Sequence, residues 1–222
     1  MYAIKTATQV NDSMIRVYNN MFLAVLTSML VSYFTSTSPE LMKFLFTGAM
    51  KWVVMFAPLV VVFIITPFLN SNPPKPVAMA TLLGFAALMG LSFSAIFVVY
   101  TSASIVSAFM GAAVLFGTMS IWGYFTRQNL DSLGKFMFIG LIAVIIVAII
   151  NLFIGSSVLA MVVSTIAIIV FLGLTAYDTQ RIREMISEDD SNSIEVLGAL
   201  SLYLNFINIF LNLLSLFGGK RD

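Results

Sequence analysis

Two long apolar runs joined by a short acidic segment decide the fold. The first run is VLAMVVSTIAIIVFLGLTAYD at residues 158–178, and the second is VLGALSLYLNFINIFLNLLSLF at residues 196–217. Twenty residues of α-helix rise about 30 Å, which is the hydrocarbon thickness of a bilayer. The two runs therefore predict a transmembrane helical hairpin. Asp178 and Asn205 lie equally far in sequence from its middle, near Ser191, so antiparallel helices would place these two side chains at similar depth.

The composition of the whole chain points to the same class of protein. Of its 222 residues, 60% are hydrophobic and 9% are charged, whereas a soluble domain has about 25% charged residues. We predict an all-α integral membrane protein that forms a single polytopic domain of seven helices. Its spans are expected at about residues 17–36, 49–69, 77–100, 104–125, 136–154, 158–182 and 196–217, after a tail at residues 1–16.

The missing residue types exclude several kinds of function. The chain has no cysteine and no histidine, which rules out disulfides, Cys–His and Ser–His nucleophile pairs and histidine-based metal sites. An intramembrane aspartyl protease needs two carboxylates that share a proton, and only one acid lies deep in an apolar run. A net charge of +1 argues against nucleic acid as a partner. We therefore expect neither an enzyme nor a resident cofactor, and the lipid bilayer is the expected partner.

Lysine and arginine residues near the ends of the spans predict the orientation in the membrane. One side carries Lys5, Arg16, Lys75, Arg127, Lys135, Arg181 and Arg183, and the other side carries Lys43, Lys51, Lys220 and Arg221. This excess favours an N-terminus in the cytoplasm and a C-terminus outside. The acidic segment at residues 188–190 is then cytoplasmic.

The sequence also predicts two features of helix packing. Pro58 and Pro67 lie within the second span, and a proline lacks the backbone N–H that a helix uses. A carbonyl freed near Pro58 must therefore be satisfied by a neighbouring helix. Small residues such as Gly84 and Gly90 in the third span and Gly111 in the fourth permit close approach between helices.

A polar stripe runs along the predicted last helix. Its members recur at intervals of four, three, four and three residues, which places all of them on one helix face: Ser201, Asn205, Asn208, Asn212 and Ser215. Such a face should turn away from lipid. Two interpretations stay open, since polar side chains in a membrane serve both as hydrogen-bonding contacts between helices and as the lining of polar pathways.

Asp178 is the candidate functional residue. An acid inside a long apolar run is costly, so its default interpretation is a role in ion movement, proton movement or gating. The alternative is an acid near the mouth of a helix that pairs with Arg181, three residues further along. The sequence leaves both interpretations open.

Five segments taken together resemble the Bax inhibitor-1, or transmembrane BAX inhibitor motif, family in its bacterial branch. They are GLSFSAIF at residues 90–97, FGTMSIWGY at 116–124, NLF at 151–153, GLTAYDTQ at 173–180 and LSLYLNFIN at 200–208. Their order and spacing carry the resemblance, which covers nearly the whole chain.

The resemblance implies a seven-helix bundle whose C-terminal helix is central and is wrapped by the other six. It also implies a pH-sensitive calcium leak in the bacterial inner membrane, gated by two aspartates on the last two helices. Asp178 matches the first aspartate, but Asn205 occupies the second position, so the pair in this chain is Asp–Asn. Near Pro58, where the family has an acid on its second helix, this chain has none.

These expectations define a candidate gate or ion pathway: Asp178, Asn205, Asn208, Asn212, Ser201 and Arg181, with Asp178 as the candidate calcium ligand. Asn205 does not titrate, but its amide can donate to an ionised Asp178, so we expect the two side chains in or near hydrogen-bond contact. One carboxylate fewer should weaken calcium binding. The alternative that the resemblance implies is a non-channel membrane modulator that binds and restrains the FtsH protease.

Overall fold

A computed structural model describes residues 5–188 and 193–221 of the chain. Its helices are α1 (Ala7–Ser36), α2 (Pro39–Phe46), α3 (Met50–Asn70), α4 (Lys75–Val99), α5 (Ser102–Phe125), α6 (Asp131–Ile154), α7 (Ser157–Glu188) and α8 (Ile194–Phe217). All except α2 are long and apolar enough to cross a membrane, which gives seven candidate spans in the described chain. The predicted all-α membrane fold with seven spans is confirmed. The predicted cytoplasmic acids Asp189 and Asp190 and the hairpin middle near Ser191 lie outside the described residues.

Capping hydrogen bonds explain why α1 and α2 begin at residues that hydropathy does not predict. The first helix begins at Ala7 rather than near residue 17, because Thr6 and Gln9 exchange hydrogen bonds in a capping box. Residues 7–16, predicted as a tail, are therefore helical. The short helix α2 follows Ser38, whose hydroxyl accepts a hydrogen bond from a backbone N–H of the first turn. Hydropathy does not predict α2, because eight residues are too few to span a bilayer.

The chain divides into two compact units. Unit 1 holds the described residues of Met1–Thr101, Glu184–Tyr203 and Lys220–Asp222, and unit 2 holds Ser102–Arg183 and Leu204–Gly219. Helix α8 contributes to both units and is the most buried span. Of its most apolar stretch, 67% is buried, compared with 39% or less in the other spans. A helix reaches such burial only where neighbouring helices cover most of its surface.

In unit 1, α1 packs along α4 at very short range. A Cβ atom added at Gly90 would lie 2.7 Å from the carbonyl oxygen of Ser28 and 2.8 Å from Cβ of Val31, so only glycine fits this contact. Gly84, on the same helix, has no neighbour within 4 Å of such an atom. The predicted close approach is therefore confirmed at Gly90 but not at Gly84. Close by, the fully buried Tyr203 of α8 shares a 2.7 Å hydrogen bond with the hydroxyl of Ser28.

Pro58 lies inside α3, which stays helical from Met50 to Asn70. Its missing N–H frees the carbonyl of Val54, four residues earlier. The hydroxyl of Ser92 on α4 donates to this carbonyl oxygen at 2.6 Å. The prediction that a neighbouring helix satisfies the carbonyl freed by Pro58 is confirmed.

In unit 2, aromatic packing and a pair of side-chain hydrogen bonds hold neighbouring helices together. The ring of Phe206 on α8 lies edge-on to the rings of Phe109 and Phe116 on α5, with centroids 5.3 and 5.7 Å apart. At the α6–α7 turn, the side-chain amide of Asn151 exchanges two 3.1 Å hydrogen bonds with the backbone of Ser156. These contacts fix α8 against α5 and the start of α7 against the end of α6. Helices α7 and α8 carry the polar residues of the candidate site.

Candidate functional site

The candidate site is a contact between α7 and α8 inside unit 2. Asn205 Nδ2 on α8 donates to Asp178 Oδ2 on α7 at 2.7 Å. Further along, the hydroxyl of Ser164 on α7 donates to the hydroxyl of Ser215 on α8 at 3.4 Å. Residue numbers fall along α7 as they rise along α8, as an antiparallel hairpin requires. The prediction that Asp178 and Asn205 are in hydrogen-bond contact is confirmed.

The two partners differ in how much of each is buried. Asn205 is 5% exposed, whereas Asp178 is half-buried. The amide donates to a single carboxylate oxygen, and Asp178 Oδ1 accepts no hydrogen bond from any residue that the structure describes. Because the donor is neutral, it stabilises the carboxylate without cancelling its charge. One carboxylate oxygen thus remains able to accept a proton or contact a cation.

Arg181 takes no part in this contact. Its side chain is exposed, its guanidinium carbon lies 5.9 Å from the ring centroid of Tyr177, and its Nη1 donates to the Tyr177 hydroxyl at 3.5 Å. Within the described residues, no ion pair closer than 4.0 Å joins Arg181 to Asp178. The structure therefore favours the amide of Asn205 over the guanidinium of Arg181 as the partner of the acid.

The remaining polar residues of α8 behave in different ways. Asn208 and Asn212 are half-buried, and each amide nitrogen donates at 2.8 Å to a carbonyl four residues earlier on the same helix. Their nitrogens are thereby occupied, while their side-chain oxygens receive no hydrogen bond from the described residues. Ser201 is half-buried and lies in the part of α8 that belongs to unit 1. The stripe therefore joins α8 to α7 at Asn205 and Ser215 and presents acceptor oxygens at Asn208 and Asn212.

Comparison with known proteins identifies the family of the chain. The chain matches the family described as "Inhibitor of apoptosis-promoting Bax1" over residues 10–222. The protein belongs to the Bax inhibitor-1 family. This family member is 37% identical over 215 residues to "Inner membrane protein YbhL" of Escherichia coli K12, covering 94% of this chain and 92% of YbhL. It is 36% identical over 222 residues to an uncharacterised protein of Deinococcus radiodurans, covering 98% and 94% of the two chains.

The sequence of this Bax inhibitor-1 protein does not predict three contacts that lie beside the acid. The hydroxyls of Thr179 on α7 and Ser120 on α5 lie 3.3 Å apart. The buried side chain of Gln180 accepts from the backbone N–H of Leu130 and donates to the carbonyl of Gln128, both at 2.9 Å. These bonds fasten α7 to α5 and to the α5–α6 connection at the level of the acid. The signal that could have revealed them is the run of polar residues in an otherwise apolar helix.

The same geometry bears on the predicted calcium ligand. Among the described residues, no three His, Cys, Asp or Glu side chains form a group that could hold a metal ion. Asp178 has an amide rather than a second carboxylate as its neighbour. Calcium ligation by Asp178 stays a prediction. The groups available to a cation are the carboxylate of Asp178 on α7 and the amide oxygens on α8.

Proposed function

We propose that this Bax inhibitor-1 family member is a cation-leak protein that passes calcium, with Asp178 and Asn205 as its gate. The observation that carries this proposal is the 2.7 Å hydrogen bond between the carboxylate on α7 and the amide on α8. An ionisable group among membrane-spanning helices is a functional candidate by default. Here a neutral amide holds it, so that its charge remains available to a cation.

The amide oxygens on α8 support a cation as the species that passes. Asn205, Asn208 and Asn212 share one helix face, and the last two have their nitrogens occupied and their oxygens left as acceptors. Calcium takes carboxylate and amide oxygens as ligands, and its affinity rises with the number of charged ligands. One carboxylate on α7, together with amide oxygens on α8, suits a cation that is held weakly and released.

The pair is the proposed gate because its hydrogen bond joins two spans. While Asn205 donates to Asp178, α7 and α8 are held together at this level. A proton or a cation at the free oxygen Oδ1 reduces the negative charge of the carboxylate, which makes Oδ2 a weaker acceptor for the amide and so weakens this connection. Two carboxylates would share a proton and titrate as a coupled pair, whereas Asn205 does not titrate. The proposed gate therefore has a single titration.

We further propose that the protein lies in the inner membrane, with its N-terminus in the cytoplasm and its C-terminus outside. YbhL, which is 37% identical, is named as an inner membrane protein, and this supports the same membrane here. Seven spans place the two ends of a chain on opposite sides. The excess of lysine and arginine on the side of Lys5, Arg16 and Lys75 supports the direction.

Calcium flux into liposomes that contain the purified full-length protein tests the gate. We expect Asp178→Asn to remove the pH response of the flux, because no titrating group is then left at the pair. Asn205→Asp adds a second carboxylate, and we expect it to make the pH response steeper or to shift it. Asp131→Asn is the matched control, since it makes the same chemical change at an exposed residue at the start of α6.

Equal calcium flux from all of these proteins at every pH would show that the pair is not the gate. That result would favour the other proposal, a non-channel modulator that binds and restrains the FtsH protease. Copurification with FtsH should then be the same for the wild type and for Asp178→Asn, because that function does not need the acid.

A further inference from the structure

A polar cleft of about 300 Å³ lies in unit 1, between the beginnings of three spans. Its lining residues come from the segment just before α1, the N-terminal third of α1, the first turn of α4 and the first turn of α8: Lys5, Gln9, Asp12, Ser13, Arg16, Lys75 and Glu195. Cations outnumber acids by one in this set. The proposed gate uses none of these residues, so a ligand of this cleft is independent of the proposed calcium leak.

Glu195 organises the cleft. It is 9% exposed, and its Oε1 accepts from Arg16 Nε at 2.9 Å and lies 2.8 Å from Arg16 Nη2. Its Oε2 lies 3.8 Å from the ammonium of Lys75. The start of α8 is fixed in turn, because the backbone N–H and hydroxyl of Ser193 donate to Asn72 Oδ1 at 3.3 and 3.2 Å. One buried carboxylate thus holds a guanidinium and an ammonium group in place beside each other.

Both cations keep N–H donors that no described residue uses. Arg16 Nη2 also donates to the hydroxyl of Ser13 at 2.8 Å, but Nη1 makes no hydrogen bond within the described part of the chain. The 3.8 Å separation between Lys75 Nζ and Glu195 is longer than a hydrogen bond. The two cationic side chains are 50% and 56% exposed. The cleft therefore offers an anion preplaced donors from two positive groups.

We propose that this cleft binds the phosphate of an anionic phospholipid headgroup. Guanidinium N–H groups match the oxygens of a phosphate, and a lysine ammonium adds a compact charge. The cleft lies at the beginnings of α1, α4 and α8. The apolar part of α1 starts only after Arg16, so the cleft lies outside the hydrocarbon, at the depth of the lipid headgroups. Basic pockets between membrane-spanning helices on the cytoplasmic side are known to hold anionic headgroups. The proposed orientation puts this cleft on that side.

Native mass spectrometry of the full-length protein in detergent tests the site. Dioleoylphosphatidylglycerol and dioleoylphosphatidylethanolamine are titrated separately, since both carry a phosphate but only the first has a net negative charge. We expect tighter binding of the phosphatidylglycerol. Lys75→Gln should weaken that binding about five-fold, which is the contribution of one lysine near a membrane surface. Lys135→Gln removes the same charge from an exposed position at the start of α6 and should leave binding unchanged.

A second variant separates the shape of the donor from its charge. Arg16→Lys keeps the positive charge but removes the planar arrangement of N–H groups, and we expect weaker phosphatidylglycerol binding. Equal binding of the two lipids, equal loss in Lys75→Gln and Lys135→Gln, or no loss in either Lys75→Gln or Arg16→Lys would each overturn the proposal. Inorganic phosphate is added as a competitor, and displacement of the lipid by millimolar phosphate would assign the cleft to a soluble anion instead.

Discussion

The bond between Asn205 and Asp178 can be measured as a coupling free energy. The perturbation is a double-mutant cycle that combines Asp178→Ala and Asn205→Ala. At 2.7 Å, with a charged acceptor and a buried donor, the contact belongs to the stronger class of hydrogen bonds. Hydrogen bonds to charged groups contribute about 1.5–3 kcal/mol, whereas side-chain bonds between membrane helices average about 0.6 kcal/mol. We expect a coupling of about 1.5 kcal/mol or more when the carboxylate is ionised.

Unfolding of the protein in mixed micelles, followed by tryptophan fluorescence as dodecyl sulfate is added, provides the stabilities. The chain has two tryptophans, Trp52 in unit 1 and Trp122 in unit 2, so each unit carries a reporter. The cycle is measured at about pH 8 and again at low pH, where a protonated carboxyl is a weaker acceptor and the coupling should fall. A parallel cycle of Ser164→Ala and Ser215→Ala is the matched control, because it removes a neutral 3.4 Å bond between the same two helices.

A coupling below about 0.5 kcal/mol at the higher pH would contradict this expectation, because it is no larger than that of an ordinary bond between membrane helices. A coupling equal to that of the Ser164–Ser215 control would contradict it as well. Either result would mean that the amide does not hold α7 to α8 at the acid. The proposed gate would then lose its structural basis.

Two further predictions concern packing and topology. Gly90→Ala should destabilise the protein by about 1–3 kcal/mol because its Cβ meets the backbone of α1, while Gly84→Ala on the same helix should be neutral or stabilising; equal effects in the same unfolding assay would contradict the close contact. Fusion reporters placed after Lys75 and after Lys220 should report opposite sides of the membrane, and the same side for both would remove at least one of the seven spans.

The spans and the shared depth of Asp178 and Asn205 could be predicted from the sequence because both depend on local patterns. A run of about twenty apolar residues must cross a bilayer as a helix wherever its neighbours lie. Two such runs joined by a short segment must be antiparallel, which places Asp178 and Asn205 at one depth. The four-three spacing of the asparagines likewise fixes a common face without knowledge of the partner helix.

Other features depend on how the helices rotate and cross, which only tertiary packing decides. Gly84 and Gly90 look alike in the sequence, yet only Gly90 meets the backbone of another helix. Arg181 is three residues from Asp178, but its side chain lies against a tyrosine and leaves the acid to an amide from α8.

The cleft at Glu195 is the clearest example of a site that depends on tertiary packing. Its cationic partners are Arg16 and Lys75, which lie far from Glu195 and from each other along the chain. No spacing rule connects residues on three different helices, since their distance is set by the packing of those helices and not by the sequence between them. Local sequence patterns are enough to predict which segments cross the membrane and which residues share a depth and a face. The tertiary structure decided which side chains meet, because each contact needs two helices turned toward each other.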